Sequence, residues 1–123
     1  METRKILIVD DNDSFRSVVS QMLCWLGYNV SSADSGESGL SVFFKNKFDI
    51  VLSDYEMPGM DGVAFAHSIK QHYPRMPVVI MTGAGKETVL SRNSTAVDEV
   101  IAKPFTMKEI GATIQNLSAR QGF

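Results

Sequence analysis

The stretch KILIVDD, residues 5–11, decides the fold class of this chain. Its first five residues are dominated by apolar, β-branched side chains without polar alternation, which predicts a strand buried on both faces. Asp10 and Asp11 end this strand abruptly. Because strands buried on both faces belong to parallel sheets covered by helices, the stretch favours an α/β fold.

Helical and strand patterns alternate along the rest of the chain. Apolar residues from Phe15 to Leu26 recur at i, i+3, i+4 and i+7, which predicts a helix, and Gly27 is a typical C-terminal stop. Further helices are predicted after an N-cap at Asp34, at about 62–73, around 87–94 and from a Thr106–Glu109 capping box; further strands are predicted at 28–33, 49–53, 77–81 and 99–102. Five strands alternating with five helices predict a parallel sheet between two helical layers.

Composition limits the kind of protein that this sequence can form. The 123 residues carry a net charge of −2 and no basic block, which argues against direct nucleic-acid binding. A single cysteine, Cys24, excludes an internal disulfide and a cysteine-rich metal site, and it favours the cytoplasm. No apolar run approaches the roughly 18 residues of a membrane helix, so no membrane partner is expected. With no linker or repeat, residues 1–123 are predicted to form one domain.

Polar residues stand at the predicted carboxyl ends of four strands. Asp10 and Asp11 follow the first strand, and Asp54 ends the third. Thr82 ends the fourth strand, and Lys103 lies just past the fifth. In doubly wound sheets, ligands bind beyond this edge, at the point where the strand order reverses. If the strand order is 2-1-3-4-5, the first and third strands are neighbours, and Asp10, Asp11 and Asp54 then share one pocket.

Such a pocket is suited to a hard metal ion and a phosphoryl group. Two carboxylates about 5 Å apart repel by roughly 3 kcal/mol at an effective dielectric near 20, and an all-oxygen donor set without histidine or thiolate favours Mg²⁺. Lys103 and Thr82 are donors of the kind that phosphoryl oxygens recruit. Among the three aspartates, Asp54 is the best placed to become an aspartyl phosphate. This acyl phosphate is expected to be labile, because the charges that stabilise the transfer also stabilise hydrolysis.

Four separated motifs resemble those of a response-regulator receiver domain, and they stand in the same order on the predicted strand ends. The resemblance covers residues 4–120 and is carried by Asp10-Asp11, by Met57-Pro58 and Met60-Asp61-Gly62 in the loop after Asp54, by Thr82-Gly83, and by Lys103-Pro104-Phe105. It implies a flavodoxin-like (βα)₅ three-layer sandwich with a five-stranded parallel sheet of order 2-1-3-4-5. It also implies a signalling domain and not an enzyme, since the domain catalyses only its own phosphorylation and dephosphorylation.

The same resemblance implies a role for each acidic site residue. Asp54 is expected to accept a phosphoryl group from the histidine of a sensor kinase or of a histidine phosphotransfer protein. Asp11 is expected to bind Mg²⁺ directly and Asp10 through water. Asp54 itself and the backbone carbonyl of Glu56 are expected to complete the protein ligands.

Activation is expected to pass from the phosphoryl group to a partner surface. The resemblance implies that Lys103 and Thr82 contact the phosphoryl oxygens, and that Thr82 moves and reshapes the face made by the fourth helix, fifth strand and fifth helix. A downstream effector is expected to bind that face. Val100 stands where such receivers carry a tyrosine or phenylalanine, so we expect backbone motion of residues 82–85 to carry the switch. The Lys103–Pro104 bond is expected to be cis by the same resemblance.

Two alternatives stay open on sequence alone. One is a phosphatase with an aspartyl nucleophile, similar to haloacid-dehalogenase-like hydrolases, but those place nucleophile and acid as Asp-x-Asp after the first strand, whereas Asp10 and Asp11 are adjacent. Such enzymes also need a cap domain, for which 123 residues leave little chain. The other is a degenerate receiver that scaffolds a partner without phosphorylation, although the acids, the threonine and the lysine are all present.

Overall fold

The computed structural model of this chain describes residues 3–121. Its strands in that range are β1 (Lys5–Val9), β2 (Asn29–Ala33), β3 (Ile50–Asp54), β4 (Val78–Thr82) and β5 (Glu99–Ala102). The helices in the same range are α1 (Asp13–Trp25), α2 (Gly36–Lys45), α3 (Gly62–His72), α4 (Lys86–Leu90) and α5 (Met107–Gln121). The strands pair in parallel in the order β2-β1-β3-β4-β5, which confirms the predicted fold class and strand order.

Both faces of the sheet are buried, and each face is covered by its own helices. Ile6 and Ile8 of β1 pack among residues of α1 and α5, whereas Leu7 and Val9 pack among residues of α2 and α3. The short helix α4 joins the second face through Val89. The four β1 side chains have no exposed surface. The unbroken apolar run of the first strand therefore reflects two cores on opposite sides of one sheet.

The N-terminal cap of the second helix differs from the sequence prediction, and the first helix is capped by an asparagine. Asn12, and neither of the preceding aspartates, caps α1 by accepting a hydrogen bond from the Phe15 N–H at 2.9 Å. The cap of α2 is Ser35 and not Asp34, because the Ser35 hydroxyl oxygen accepts from the Ser38 N–H at 3.0 Å. The aspartates before α1 are thereby free for other contacts.

The fourth helix is shorter than the pattern indicated. It spans Lys86–Leu90, whereas a helix around 87–94 was predicted. Asn93 lies in the left-handed region at φ 53°, and a residue in that conformation ends a right-handed helix. The chain from residue 91 to residue 98 consequently forms turns before β5.

The C-terminal part of the chain follows the prediction closely. The Thr106 hydroxyl accepts from the Glu109 N–H at 3.1 Å, and the Glu109 carboxylate accepts from the Thr106 N–H at 2.9 Å, which confirms the capping box before α5. The Lys103–Pro104 bond is cis, as expected. Across residues 3–121, no helix combines the length and the apolar character that crossing a bilayer requires.

Candidate active site

Three aspartates meet at the carboxyl edge of the sheet. Asp10 follows β1 and Asp54 ends β3, and these strands are neighbours. With Asp11, they offer one carboxylate oxygen each, and the three oxygens lie within 4.8 Å of one another. Asp10 is fully buried and Asp54 is 8% exposed, whereas Asp11 is exposed. The strand order thus brings together the carboxylates that were expected to share a pocket.

The ammonium group of Lys103 lies between two of these carboxylates. Its Nζ donates a hydrogen bond to Asp10 Oδ2 at 2.9 Å and lies 3.0 Å from Asp54 Oδ1. Burial lowers the pKa of Lys103, but hydrogen bonds and charge from Asp10 and Asp54 outweigh burial and raise the pKa above its usual value. Lys103 therefore supplies a permanent positive charge in a pocket with three acids.

Burial is the main influence on Asp54. It raises the pKa of the carboxyl group, and the charge of Asp10 and a hydrogen bond with Asp11 raise the pKa further. Lys103 acts in the opposite direction without reversing the shift. A carboxyl group with a perturbed pKa in a cleft, beside a specific charged partner, is typical of functional sites.

Asp10 is held rigidly by contacts that were not singled out from the sequence. Its Oδ1 accepts from the Asn12 N–H at 2.9 Å, and its backbone carbonyl accepts from Arg16 Nη1 at 2.7 Å. Its own N–H donates to the Ala33 carbonyl at 3.1 Å. The position of Arg16 in the first turns of α1, shortly after the paired acids, could have suggested its contact with Asp10. A charged residue there more often faces solvent, however.

Thr82 and Glu56 border a cavity of about 300 Å³ beside Asp54. Thr82 is buried, and its Oγ1 accepts a hydrogen bond from the Ala84 N–H at 3.0 Å, which shapes the loop after β4. Glu56 is exposed at the rim of the cavity. The cavity is lined by Asp54, Tyr55, Glu56, Thr82, Gly83, Ala84 and Lys103. The predicted roles of the Thr82 hydroxyl as a hydrogen-bond donor to phosphoryl oxygens and of the Glu56 backbone carbonyl as a metal ligand remain predictions.

The loop after β3 depends on a glycine. The Gly62 N–H donates to the Tyr55 carbonyl at 2.8 Å, and a Cβ atom at Gly62 would overlap the backbone carbonyl oxygen of Asp54. Only a residue without a side chain lets α3 begin this close to the site. The motif residue Gly62 therefore positions the backbone of Asp54.

Arg92 makes a further contact that the sequence pattern did not reveal. Its Nη1 donates to the Tyr55 hydroxyl and to Asp61 Oδ2, each at 3.2 Å. Tyr55 directly follows Asp54, and Asp61 caps α3. Hydrogen bonds from Arg92 therefore connect the turn after α4 with the loop that follows β3.

The donor set fits a hard divalent cation. Within residues 3–121, Asp10, Asp11 and Asp54 form the one group of three or more potential ligands of this kind, and all of its donors are carboxylate oxygens. Both oxygens of Asp10 already accept hydrogen bonds, from Asn12 and Lys103. Asp11 and Asp54 are therefore better placed than Asp10 to bind a metal directly.

Comparison with known proteins identifies the family. The family described as the response regulator receiver domain matches residues 6–115, which is most of the chain. The chain belongs to this family. As a receiver domain, it is a signalling module of two-component systems, and the match gives no support to the phosphatase alternative.

The relatives of this receiver differ in length. It is 32% identical over 118 residues to a probable chemotaxis protein CheY of Rhizobium etli, covering 93% of this chain and 92% of the relative. It is 32% identical over 116 residues to the DNA-binding transcriptional regulator NtrC of Salmonella typhimurium, covering 94% of this chain but 25% of the relative. The receiver therefore spans nearly all of one relative and a quarter of the other.

Solved structures share the fold of this receiver. The response regulator protein TrrA of Thermotoga maritima, solved in complex with Mg²⁺-BeF, superposes with a TM-score of 0.86 at 30% identity. The likeness covers 94% of this chain and 99% of that structure. The family match and this likeness agree with the parallel sheet and its strand order.

Proposed function

We propose that Asp54 accepts a phosphoryl group from the phosphohistidine of a sensor histidine kinase or a histidine phosphotransfer protein. The observation that carries this proposal is the position of Lys103 Nζ, 3.0 Å from Asp54 Oδ1 and hydrogen-bonded to Asp10. A carboxylate nucleophile that already faces a fixed cation needs little rearrangement to stabilise incoming phosphoryl charge.

The transfer needs one bond to form and one to break. A carboxylate oxygen of Asp54 attacks phosphorus, the P–N bond breaks, and its electron pair stays on the imidazole nitrogen of the donor. Lys103 hydrogen-bonds the phosphoryl oxygens from its place beside Asp54. The Oγ1 atom of Thr82 accepts from Ala84, which leaves the Thr82 O–H available as a second donor.

A bound Mg²⁺ would neutralise the charge on the phosphoryl oxygens. Asp11, Asp54 and the Glu56 backbone carbonyl are the proposed direct ligands, with Asp10 acting through water. Hydrolysis by water later releases inorganic phosphate and restores the Asp54 carboxylate. The groups that assist phosphorylation therefore also set the lifetime of the aspartyl phosphate.

The proposed output surface is the face of α4, β5 and α5. Thr82 lies beside Ala102 in the β4–β5 pairing, and the Lys103 N–H donates to the Thr82 carbonyl at 2.8 Å, so a shift at Thr82 reaches β5 through backbone contacts. Leu90 of α4 is exposed next to this face. We propose an effector domain or protein as the partner there, in the cytoplasm and without nucleic-acid or membrane contact by this chain.

Intact-mass spectrometry after incubation with acetyl phosphate and Mg²⁺ tests the proposal. The expected result is one added phosphoryl group, with acetate as the leaving group, and a large loss of labelling in Asp54→Asn or when EDTA replaces Mg²⁺. Asp49→Asn is the matched control, because Asp49 precedes the opposite end of the same strand. Equal labelling of wild type and Asp54→Asn would contradict the proposal, as would a wild type that gains no phosphoryl group.

A binding experiment separates this proposal from a phosphorylation-independent scaffold. Partner binding by a receiver that signals through Asp54 should change with phosphorylation in the wild type and stay constant in Asp54→Ala. A partner that binds both forms equally, with and without acetyl phosphate, would favour the scaffold.

A further inference from the structure

The aromatic ring of Phe15 lies against the ammonium group of Lys103. The distance from Lys103 Nζ to the ring centroid is 4.2 Å, well inside the range of about 6 Å over which a cation is attracted to an aromatic face. Asp10 and Asp54 occupy two sides of the same ammonium group at 2.9 and 3.0 Å. The ring is thus a third neighbour, and it is uncharged.

Phe15 is held in place by contacts that do not depend on Lys103. Its backbone N–H donates to the Asn12 side chain at 2.9 Å, at the cap of α1. Its ring packs edge-to-face on Phe105, with centroids 5.7 Å apart and planes at 84°. Phe105 is buried. The helix cap and the core therefore determine the position of the ring before any ligand binds.

A fixed aromatic face suits the electrostatic demands on Lys103. Lysine carries its charge on a flexible four-carbon stem, so the ammonium group can swing towards solvent unless something confines it. The carboxylate of Asp54 changes its charge and its bonding when it reacts, whereas the negative face of the ring does not change. The ring can hold the ammonium group throughout the transfer.

We propose that Phe15 is a positioning residue for phosphoryl transfer, which holds the Lys103 ammonium group over Asp54 by a cation–π contact. The catalytic role of Phe15 in this inference rests on the proposed function of Asp54. The contact itself can be measured without any phosphorylation.

The first test observes the contact directly by NMR. The ring current of Phe15 should move the ε-methylene protons of Lys103 to an upfield chemical shift in the wild-type chain. The upfield shift should be lost in Phe15→Leu and kept in Phe15→Tyr, which preserves an aromatic face. Identical Lys103 shifts in the wild type and Phe15→Leu would overturn the proposal.

The second test measures the rate of phosphorylation by acetyl phosphate at a fixed Mg²⁺ concentration. Phe15→Leu should slow the reaction by about fivefold, the size expected for loss of one partly buried cation–π contact. Phe15→Tyr should restore a rate close to wild type, and a series of increasingly fluorinated phenylalanines at position 15 should slow the reaction stepwise at nearly constant ring size. Equal phosphorylation rates across the fluorinated series would overturn the proposal.

Val19→Ala separates this role from general packing. Val19 is buried on the same helix, one turn beyond Phe15, and it offers no aromatic face or charge to Lys103, so its truncation should lower the free energy of unfolding without slowing phosphorylation. A rate loss in Val19→Ala equal to that in Phe15→Leu would assign the effect to helix packing. If the wild type itself gains no phosphoryl group, the proposed function fails, the catalytic role of Phe15 fails with it, and the ring-current shift still decides the contact.

Discussion

The acidic cluster carries more negative charge than its one neighbouring lysine can neutralise. Three carboxylates face one ammonium group, and Lys103 pairs with Asp10 and Asp54 but not with Asp11. Burial and neighbouring acids raise the pKa of Asp54, which shows that its ionised form is held at a cost. A bound cation would reduce this cost, and metal binding would then be linked to folding stability.

Asp11→Asn should remove the link between metal binding and stability. Because this variant loses one of three crowded negative charges, we expect its free energy of unfolding without metal to rise by about 1 kcal/mol. Mg²⁺ should stabilise the wild type and leave Asp11→Asn nearly unchanged, since this variant lacks one of the proposed direct ligands. Urea unfolding followed by circular dichroism, in Mg²⁺ and in EDTA, measures both effects.

Asp13→Asn serves as the control for Asp11→Asn. Asp13 is exposed, lies two residues away, and pairs with Arg16 at 2.7 Å outside the acidic cluster. The Mg²⁺-dependent stabilisation of Asp13→Asn should match that of the wild type. A full Mg²⁺ response in Asp11→Asn would show that Asp11 is not a ligand.

At the scale of elements, one carboxylate connects the start of α3 with the turn after α4. Asp61 Oδ1 accepts from the Ala64 N–H at 2.8 Å as the N-cap, while Asp61 Oδ2 accepts from Arg92 at 3.2 Å. Burial raises the pKa of Asp61, but the hydrogen bonds from Ala64 and Arg92 outweigh burial and lower the pKa below its ordinary value of 3.8. The ionised form therefore stabilises the native state.

Two substitutions at Asp61 separate the cap from the charge. Asp61→Ala should cost about 1 kcal/mol because the helix loses its N-cap. Asp61→Asn keeps a cap acceptor and should cost a few tenths of a kcal/mol, since the pair with Arg92 is 35% exposed at the carboxylate and screened by solvent. Chemical denaturation of the three proteins at neutral pH measures both differences.

The pH dependence of the Asp61→Asn difference follows from the direction of the pKa shift. A depressed pKa contributes stability above the unfolded-state pKa and loses it as pH falls through the lower native value. The advantage of the wild type over Asp61→Asn should therefore be constant near neutral pH and narrow below about pH 4. A difference that persists unchanged in acid would mean that the charge of Asp61 has no part in it.

At the scale of the whole molecule, the sheet connects the site with the proposed output face. Asp54 pairs with Met81 in the β3–β4 register, and Thr82 pairs with Ala102 in the β4–β5 register. Val100 is buried in β5, and by the family resemblance it stands where such receivers carry a tyrosine or phenylalanine. We therefore expect a change at Asp54 to be carried by the backbone, because a valine side chain has no ring that could rotate at this position.

Phosphorylation should therefore move backbone amides in the loop after β4. We expect the amide resonances of residues 82–85 and of α4 to shift in nitrogen–proton correlation spectra when acetyl phosphate and Mg²⁺ are added. Those of β2, at the far edge of the sheet, should shift much less. Asp54→Asn under identical conditions is the control, and unchanged amide shifts at residues 82–85 in the phosphorylated wild type would refute this mechanism.

The sequence alone was sufficient for the architecture and for the membership of the acidic cluster. Strand and helix patterns are local, so KILIVDD and the four later runs predicted the parallel sheet, and the carboxyl ends of parallel strands necessarily share an edge. Asp10, Asp11 and Asp54 could be grouped on that basis. The strand order that places β1 beside β3 was implied by the family resemblance and not by the local patterns.

Tertiary structure decided which atoms make the contacts at that edge. The ring of Phe15 over Lys103, the bridge from Arg92 to Asp61 and the short helix α4 join or end segments in ways that no local pattern specifies. Several adjacent polar residues could cap α1. The Asp10 side chain instead accepts a hydrogen bond from the Asn12 N–H, and Asn12 is the cap. Periodicity records which face of an element is buried, whereas side-chain contacts depend on how those faces are brought together in space.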